Sequence, residues 1–69
     1  MSVAKVIKII AHSPNSFDDA VKRGVEQAAK SVHGISGVEV ENFSAKVENN
    51  KITEYRATVH VAFSVEGTD

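Results

Sequence analysis

The sequence lacks several features that would point directly to a function. It contains no cysteine, and Pro14 is its only proline. Without cysteine the chain forms neither disulfides nor thiolate zinc sites. The three histidines, His12, His33 and His60, are far apart and show no metal-ligand spacing. Disulfide cross-links and zinc centres that need cysteine are therefore excluded.

The chain also lacks a large excess of either positive or negative charge. The chain has 8 lysines and arginines and 9 aspartates and glutamates, for a net charge of -1. This balance gives no electrostatic case for binding nucleic acid or an anionic membrane. Two lysines interrupt the first apolar residues, which is unlike a signal peptide, and no apolar run has the length of a membrane span. We expect a cytoplasmic protein without nucleic-acid or membrane partners.

Motifs that carry catalysis are absent as well. The sequence has no phosphate-binding loop, no nucleophile elbow and no His-x-x-x-His. Its serines do not stand near a histidine in an activating arrangement. We therefore expect a protein that is not an enzyme.

Residues 16–33 predict the only helix. Ser16 is placed to cap its first turn, with Asp19 as the reciprocal cap, and Gly34 is placed to end it. Gly24, in the middle, is either tolerated or packed closely against a neighbour. The apolar stripe that repeats at helical spacing is Phe17, Val21, Val25, Ala28 and Val32.

Three β-strands are predicted, over residues 3–12, 38–48 and 52–65, with a tight turn at Asn49-Asn50 between the last two. In the second strand the apolar positions shift from even to odd numbers, which predicts a β-bulge near Glu41-Asn42. The order β-α-β-β indicates an α+β fold, with a three-stranded antiparallel sheet wrapped around one helix.

The chain is short enough to be a single domain, residues 1–69. The core of so small a domain rarely contributes more than about 3–5 kcal/mol, and oligomerisation is the usual compensation when disulfides and metals are missing. The first strand has apolar residues on both faces, and one helix covers only one of them. We therefore expect partner subunits of the same chain.

The second face of the sheet carries the polar candidates. Arg56, Thr58 and His60 alternate with the apolar positions of the third strand. For Arg56 we expect a salt bridge to Glu39 or Glu41, or contact with an anion through its planar fork of donors. For His60 we expect packing at an interface. For the glutamates of the second strand we expect either a solvated strand face or a cation bound across subunits; these are Glu39, Glu41 and Glu48.

For the other two histidines we predict no ligand role. His12 ends the first strand, where we expect a solvated side chain. His33 ends the predicted helix, where a cation is mildly favoured by the helix dipole.

Several segments resemble one protein family, the dodecins. The resemblance runs nearly from end to end, in length, in β-α-β-β order and in local sequence. The segments that carry it are residues 1–17 (MSVAKVIKIIAHSPNSF), 19–21 (DAV), the turn at 49–50 (NN), 51–56 (KITEYR) and 59–63 (VHVAF).

The resemblance implies a hollow shell of twelve identical subunits that stores or sequesters a small molecule without catalysis. Dodecins bind flavins such as riboflavin or FMN near subunit interfaces, and some members are reported to bind calcium or coenzyme A. Neighbouring subunits would then cover the second face of the sheet.

The family's flavin site corresponds only in part to this sequence. Flavin-binding members stack the flavin on a tryptophan at the start of the second strand, where this chain has Gly37. A family glutamine on the third strand corresponds to Arg56, and an arginine of the second strand corresponds to Ser44. The predicted binding residues are Gly37, Val38 and Glu39, with Arg56 opposite. Three hypotheses stay open: a flavin-binding shell, a flavin-free shell that binds calcium or a phosphate-bearing ligand such as coenzyme A, and a purely structural oligomer.

Overall fold

The computed structural model describes residues 3–65. Along the chain it contains β1 (Ala4–Ser13), α1 (Phe17–Ala29), β2 (Ile35–Glu48) and β3 (Lys51–Ser64). The strands form one antiparallel sheet in which β3 lies between β1 and β2. The predicted β-α-β-β order and α+β fold class are confirmed.

A two-residue turn joins β2 to β3. Asn49 and Asn50 both have positive φ, at 52° and 64°. This left-handed conformation suits the right-handed twist of a hairpin, and asparagine tolerates it better than most residues. The predicted hairpin turn is confirmed.

The predicted β-bulge lies in β2. Val40 pairs with Val59 and Asn42 with Thr58, so Glu41 is an extra residue with no β3 residue opposite it in the backbone register. The insertion keeps apolar side chains on one face although their numbering changes parity. It also leaves two consecutive polar residues, Glu41 and Asn42, for the other face.

The helix is shorter than the predicted span of 16–33. It ends at Ala29, so Gly34 lies in the loop after it, where its φ is 73° and its carbonyl accepts a hydrogen bond from the Ser64 amide at 3.0 Å. His33 is therefore an exposed loop residue and not a helix terminus. The predicted end was wrong because Val32 packs against the core from outside the helix. No helix among the described residues has the length and apolarity to cross a membrane.

Small residues form the contact between the helix and the sheet. The buried helical residues are Ala20, Gly24 and Ala28. The predicted stripe had Val21 and Val25 at its centre, so these two positions were each one residue too late in the sequence. A Cβ added at Gly24 would lie 3.0 Å from the Cβ of Ala11 on β1. Of the two alternatives left open for Gly24, close packing is the one that the structure shows, and the larger side chains of the predicted stripe flank this contact.

The core is small and the folded chain is elongated. The Cα radius of gyration is 14.2 Å, against about 11 Å for a compact domain of this length. One layer of helix on one sheet encloses little volume. The buried apolar residues of the described part are Ala11, Ala20, Ala28, Ala57, Val59 and Val61.

Candidate binding site on the open face of the sheet

The sheet has one face turned away from α1, which we call the open face. Alternation along β3 buries Ala57, Val59 and Val61 beneath the helix and places the residues between them on the other side. Strand register then fixes which side chains of β1 and β2 lie beside them. The polar residues of the open face include Lys8, His12, Glu39, Glu41, Asn42, Ser44, Lys46, Glu54, Arg56, Thr58 and His60.

Two of the predicted binding residues of β2 lie on the open face. Glu39 pairs in register with His60, and Gly37 lies two positions before it. An added Cβ at Gly37 would meet no atom within 4 Å, so the space above it is open. Val38 pairs with buried Val61 and therefore points to the helix side, where α1 does not cover β2.

Arg56 lies farther along the same face. It pairs with Ser44, whereas Gly37 pairs with Ala62. Six residues along β3 correspond to about 20 Å at the rise of a strand. Within one chain, Arg56 is therefore not opposite Gly37, where it had been expected, and the two residues do not form one site.

One ionic group crosses all three strands at Glu41. Its Oε1 lies 2.8 Å from Nε2 of His60 on β3 and 3.2 Å from Nζ of Lys8 on β1. The hydrogen bond to His60, followed by that to Lys8, lowers the pKa of Glu41 below its usual value. The bulge makes this possible because it adds Glu41 to the open face beside His60.

A second ionic group surrounds Glu54. Arg56 donates from Nε to Oε2 of Glu54 at 2.7 Å, and Nδ1 of His12 lies 3.5 Å from Oε1. The hydrogen bond from Arg56 lowers the pKa of Glu54. The expected bridge from Arg56 to Glu39 or Glu41 is therefore wrong. Glu54 is two residues away on the same face of the same strand, and is the nearer partner.

The loop into the helix contains a polar network that the sequence did not reveal. The buried Ser13 donates from Oγ to Asp19 at 2.5 Å and accepts from the Asn15 amide at 2.9 Å. Ser16 caps the helix as predicted, accepting from the Asp19 amide at 3.0 Å. The Asp19 carboxylate is bound by Ser13 and by Arg23, instead of forming the reciprocal cap. The Ser13 hydrogen bond lowers the pKa of Asp19, and the network fixes the start of α1.

The aromatic rings lie on the helix side. The Phe17 ring centroid is 4.9 Å from those of Phe43 and Tyr55, with interplanar angles of 52° and 84°. Phe63 pairs with Ile35 near the other end of the same side. Over residues 3–65 the open face therefore offers charge, hydrogen bonds and the imidazoles of His12 and His60, but no phenylalanine or tyrosine ring for stacking.

Potential metal ligands among residues 3–65 are not gathered at one place. In the part of the chain that the structure describes, no group of three or more histidines, aspartates and glutamates is arranged to hold a metal ion.

Comparison with known proteins identifies the family. The dodecin family model matches residues 3–66. No curated protein sequence matches the chain. Among solved structures, the dodecin from Streptomyces coelicolor is 19% identical with a TM-score of 0.92, covering 97% of this chain and 96% of that one. A variant of Thermus thermophilus dodecin is 20% identical with a TM-score of 0.92, covering 96% and 98%. At these identities the likeness concerns the fold.

A third solved structure is closer in sequence. The calcium dodecin from Mycobacterium tuberculosis, described as a calcium-chelating immunodominant antigen with a novel calcium-binding site, is 35% identical with a TM-score of 0.81. The match covers 99% of this chain and 97% of that one. The family model spans almost the whole sequence, and this relative matches over nearly its full length, so the chain belongs to the dodecin family.

Proposed function

We propose that this dodecin is a non-catalytic protein that assembles into a hollow homododecameric shell and binds and stores a small molecule. The observation that carries the proposal is the apolar surface that one subunit leaves uncovered on both sides of its sheet. Ile10 on the open-face side of β1 is 63% exposed, and Phe43 on the helix side of β2 is 49% exposed. The cytoplasmic location expected from the sequence stays a prediction.

The uncovered surface favours assembly for an energetic reason. The helix packs over β1 and β3, so Val38, Val40 and Phe43 of β2 remain exposed on the helix side. A groove of about 490 Å³ beside β1, lined in part by Ile7 and Ile9, adds to this area. Contiguous apolar surface on a small domain is costly in water, and burial against other copies recovers that free energy.

The mass in solution tests the assembly. Twelve subunits of 7.4 kDa give about 89 kDa, which multi-angle light scattering separates clearly from a monomer. A folded, stable monomer at low micromolar concentration would contradict the proposal.

Flavin, as riboflavin or FMN, is the first ligand to test, because the family resemblance implies it. The open space above Gly37 admits a planar ring. Because the chain has no tryptophan, each ring would lose about 0.5–1.5 kcal/mol of stacking, which corresponds to about 2- to 13-fold weaker binding.

Fluorescence quenching of riboflavin measures this affinity directly. Gly37→Trp should tighten binding by the factor that stacking supplies, whereas Gly37→Leu, which adds apolar area without an aromatic ring, should not. Absence of quenching with saturating wild-type protein and with Gly37→Trp alike would reject flavin as the ligand.

Calcium is the second candidate, favoured by the 35% identical relative described as calcium-chelating. Glu41 and Glu54 are already paired with cations, whereas Glu39 has no ion pair within the described residues. Calcium takes six to eight oxygen ligands, so Glu39 side chains from several subunits would have to converge.

Calorimetric titration with calcium chloride tests this candidate, with magnesium chloride as the control ion. Calcium binding that is lost in Glu39→Gln but kept in Glu48→Gln would support the site. Equal calcium affinity in wild type and Glu39→Gln would reject it. A shell that binds neither flavin, calcium nor coenzyme A would be a structural oligomer.

A further inference from the structure

We infer that the groove between α1 and β1 binds a medium-chain alkyl carboxylate, with Arg23 as the contact for the carboxylate group. The inference goes beyond the proposed function, because it adds a second ligand away from Gly37 and Glu39 on the open face. The groove has a volume of about 490 Å³. Small-molecule sites usually have volumes of about 300–1,000 Å³.

The floor of the groove is apolar and is formed by both elements. Ile7 and Ile9 of β1 pair with buried residues of β3, so they face α1. The helix contributes Gly24 and Ala28, which carry little or no side chain to fill the space. Along β1 the lining extends from Ile7 to Ala11, which is about 13 Å at the rise of a strand. An extended alkyl chain of about ten carbons has this length.

Arg23 lies at one end of the groove and has donors that remain available. A Cβ at the neighbouring Gly24 would lie 3.0 Å from Ala11, so Arg23 is near the end of β1. Its Nε lies 2.7 Å from the Asp19 carboxylate, which holds the guanidinium on the surface of α1. Arg23 has no other partner among residues 3–65. Its terminal nitrogens can therefore bind the two oxygens of a carboxylate, which match the guanidinium fork.

A second donor lies one helical turn after Arg23. Gln27 lines the same groove and has no hydrogen-bond partner within the described part of the chain. Its side-chain amide can donate to the same carboxylate. The other charges beside the groove are Glu26 and Lys30, on an adjoining surface of α1, and they have opposite signs.

The polar wall of the groove favours a narrow ligand over a second copy of the chain. The cores of protein–protein interfaces are depleted of charged residues, whereas this wall carries Arg23, Glu26, Gln27 and Lys30. A protein surface that covered the floor would also have to bury these polar groups, which is costly. A single alkyl chain covers the floor and leaves them in water. The exposed apolar residues of β2 stay available for contacts between copies.

Calorimetric titration of the wild-type protein with hexanoate, octanoate and decanoate tests the apolar part of the site. A fully buried methylene is worth about fourfold in affinity. In a groove that is open on one side we expect about two- to threefold for each methylene, or about 16- to 80-fold between hexanoate and decanoate. Affinities that do not rise with chain length would overturn the inference.

Substitution of Arg23 tests the polar part. Arg23→Gln should weaken decanoate binding by about tenfold, as expected for loss of a charge-assisted contact. The same variant should leave the affinity for decanol unchanged, because decanol has the same chain without the carboxylate. Lys22→Gln removes the same charge from an exposed position on α1 outside the groove and should change neither affinity. Equal weakening of decanoate and decanol in Arg23→Gln would overturn the role of Arg23.

A second variant carries the test if Arg23→Gln does not fold, as judged by circular dichroism. Ile10 lines the groove at the edge of β1 and is 63% exposed. Ile10→Asp places a negative charge beside the ligand and should abolish decanoate binding. Ile52→Asp is the matched control, because Ile52 is 50% exposed and lies on the hairpin outside the groove. Equal decanoate affinity in both variants would overturn the inference.

Two further results would overturn the inference without affecting the proposed function. Decanoate that competes with riboflavin or calcium would occupy the open face instead of the groove. Absence of decanoate binding to the wild-type protein would mean that another copy of the chain fills the groove. Light scattering and riboflavin quenching test the proposed function separately, so a protein that assembles and quenches riboflavin but does not bind decanoate refutes only the groove site.

Discussion

Substitution of Gly24 by alanine sets two opposing effects against each other. Alanine in a helix interior is better than glycine by about 1 kcal/mol. The new Cβ would lie 3.0 Å from the Cβ of Ala11, closer than the optimal carbon separation of about 3.5–4.0 Å. Overpacking of this kind costs about 1–3 kcal/mol. Ala11 cannot relieve the contact by rotation because its Cβ is fixed to the β1 backbone. We therefore expect Gly24→Ala to lower the free energy of unfolding by about 1 kcal/mol.

A second substitution isolates the contact. Ala11→Gly removes the atom that the new Cβ would meet, so Gly24→Ala in that background should raise the free energy of unfolding by about 1 kcal/mol. The change of sign corresponds to a coupling of about 2 kcal/mol between the two positions.

Urea unfolding followed by circular dichroism measures all four variants. Subunit concentration must be equal throughout, because assembly contributes to apparent stability. If Gly24→Ala raised stability by the same amount in both backgrounds, the close approach of α1 to β1 would play no part, and the account of this contact would be wrong.

Three further predictions concern the cap, the turn and the bulge. Ser16→Ala removes the helix cap and should cost about 1 kcal/mol in urea unfolding, whereas Ser31→Ala, beyond the helix end, should cost little. Asn50→Val should cost about 1–3 kcal/mol because a β-branched residue disfavours positive φ; an unchanged midpoint would contradict the turn geometry. The pKa of Glu41 is lowered in the folded state, so its contribution to stability is complete above the ordinary glutamate pKa and is lost as pH falls through the lowered value. Glu41→Gln should therefore lose less thermal stability than wild type between pH 7 and pH 3, and equal losses would argue against the bond to His60.

The alternation of apolar and polar residues made the strands of the sheet predictable from the sequence. The change of parity in β2 located the bulge because one inserted residue exchanges the faces of every residue after it. The end of the helix was not predictable in the same way. Val32 continues the apolar spacing although the helix has already ended at Ala29, and spacing alone does not distinguish a helical contact from a loop residue packed on the same core.

The sequence predicted which face of the sheet carries the candidate site residues, but not which side chains they contact. Glu39 and Arg56 are on the open face, as alternation indicated. The ion-pair partner of Arg56 depends on strand register and on how far the side chains reach. Sequence alternation alone does not rank Glu54, on the same strand, above the glutamates across the hairpin. The role of Ser13 could not be inferred either, because its hydrogen bonds join a strand end to the helix six residues later.

The two outer strands differ in how well they resist unwanted pairing. The pairing of β2 with β3 has three register shifts, two of which insert an extra residue in β2, whereas β1 pairs with β3 without interruption over ten residues. An irregular edge strand hinders pairing with a strand of another chain, whereas a regular edge strand permits it. A subunit that fails to find its proper neighbours would therefore recruit other chains along β1, with only Lys5 and Lys8 to oppose fibre growth by their charge.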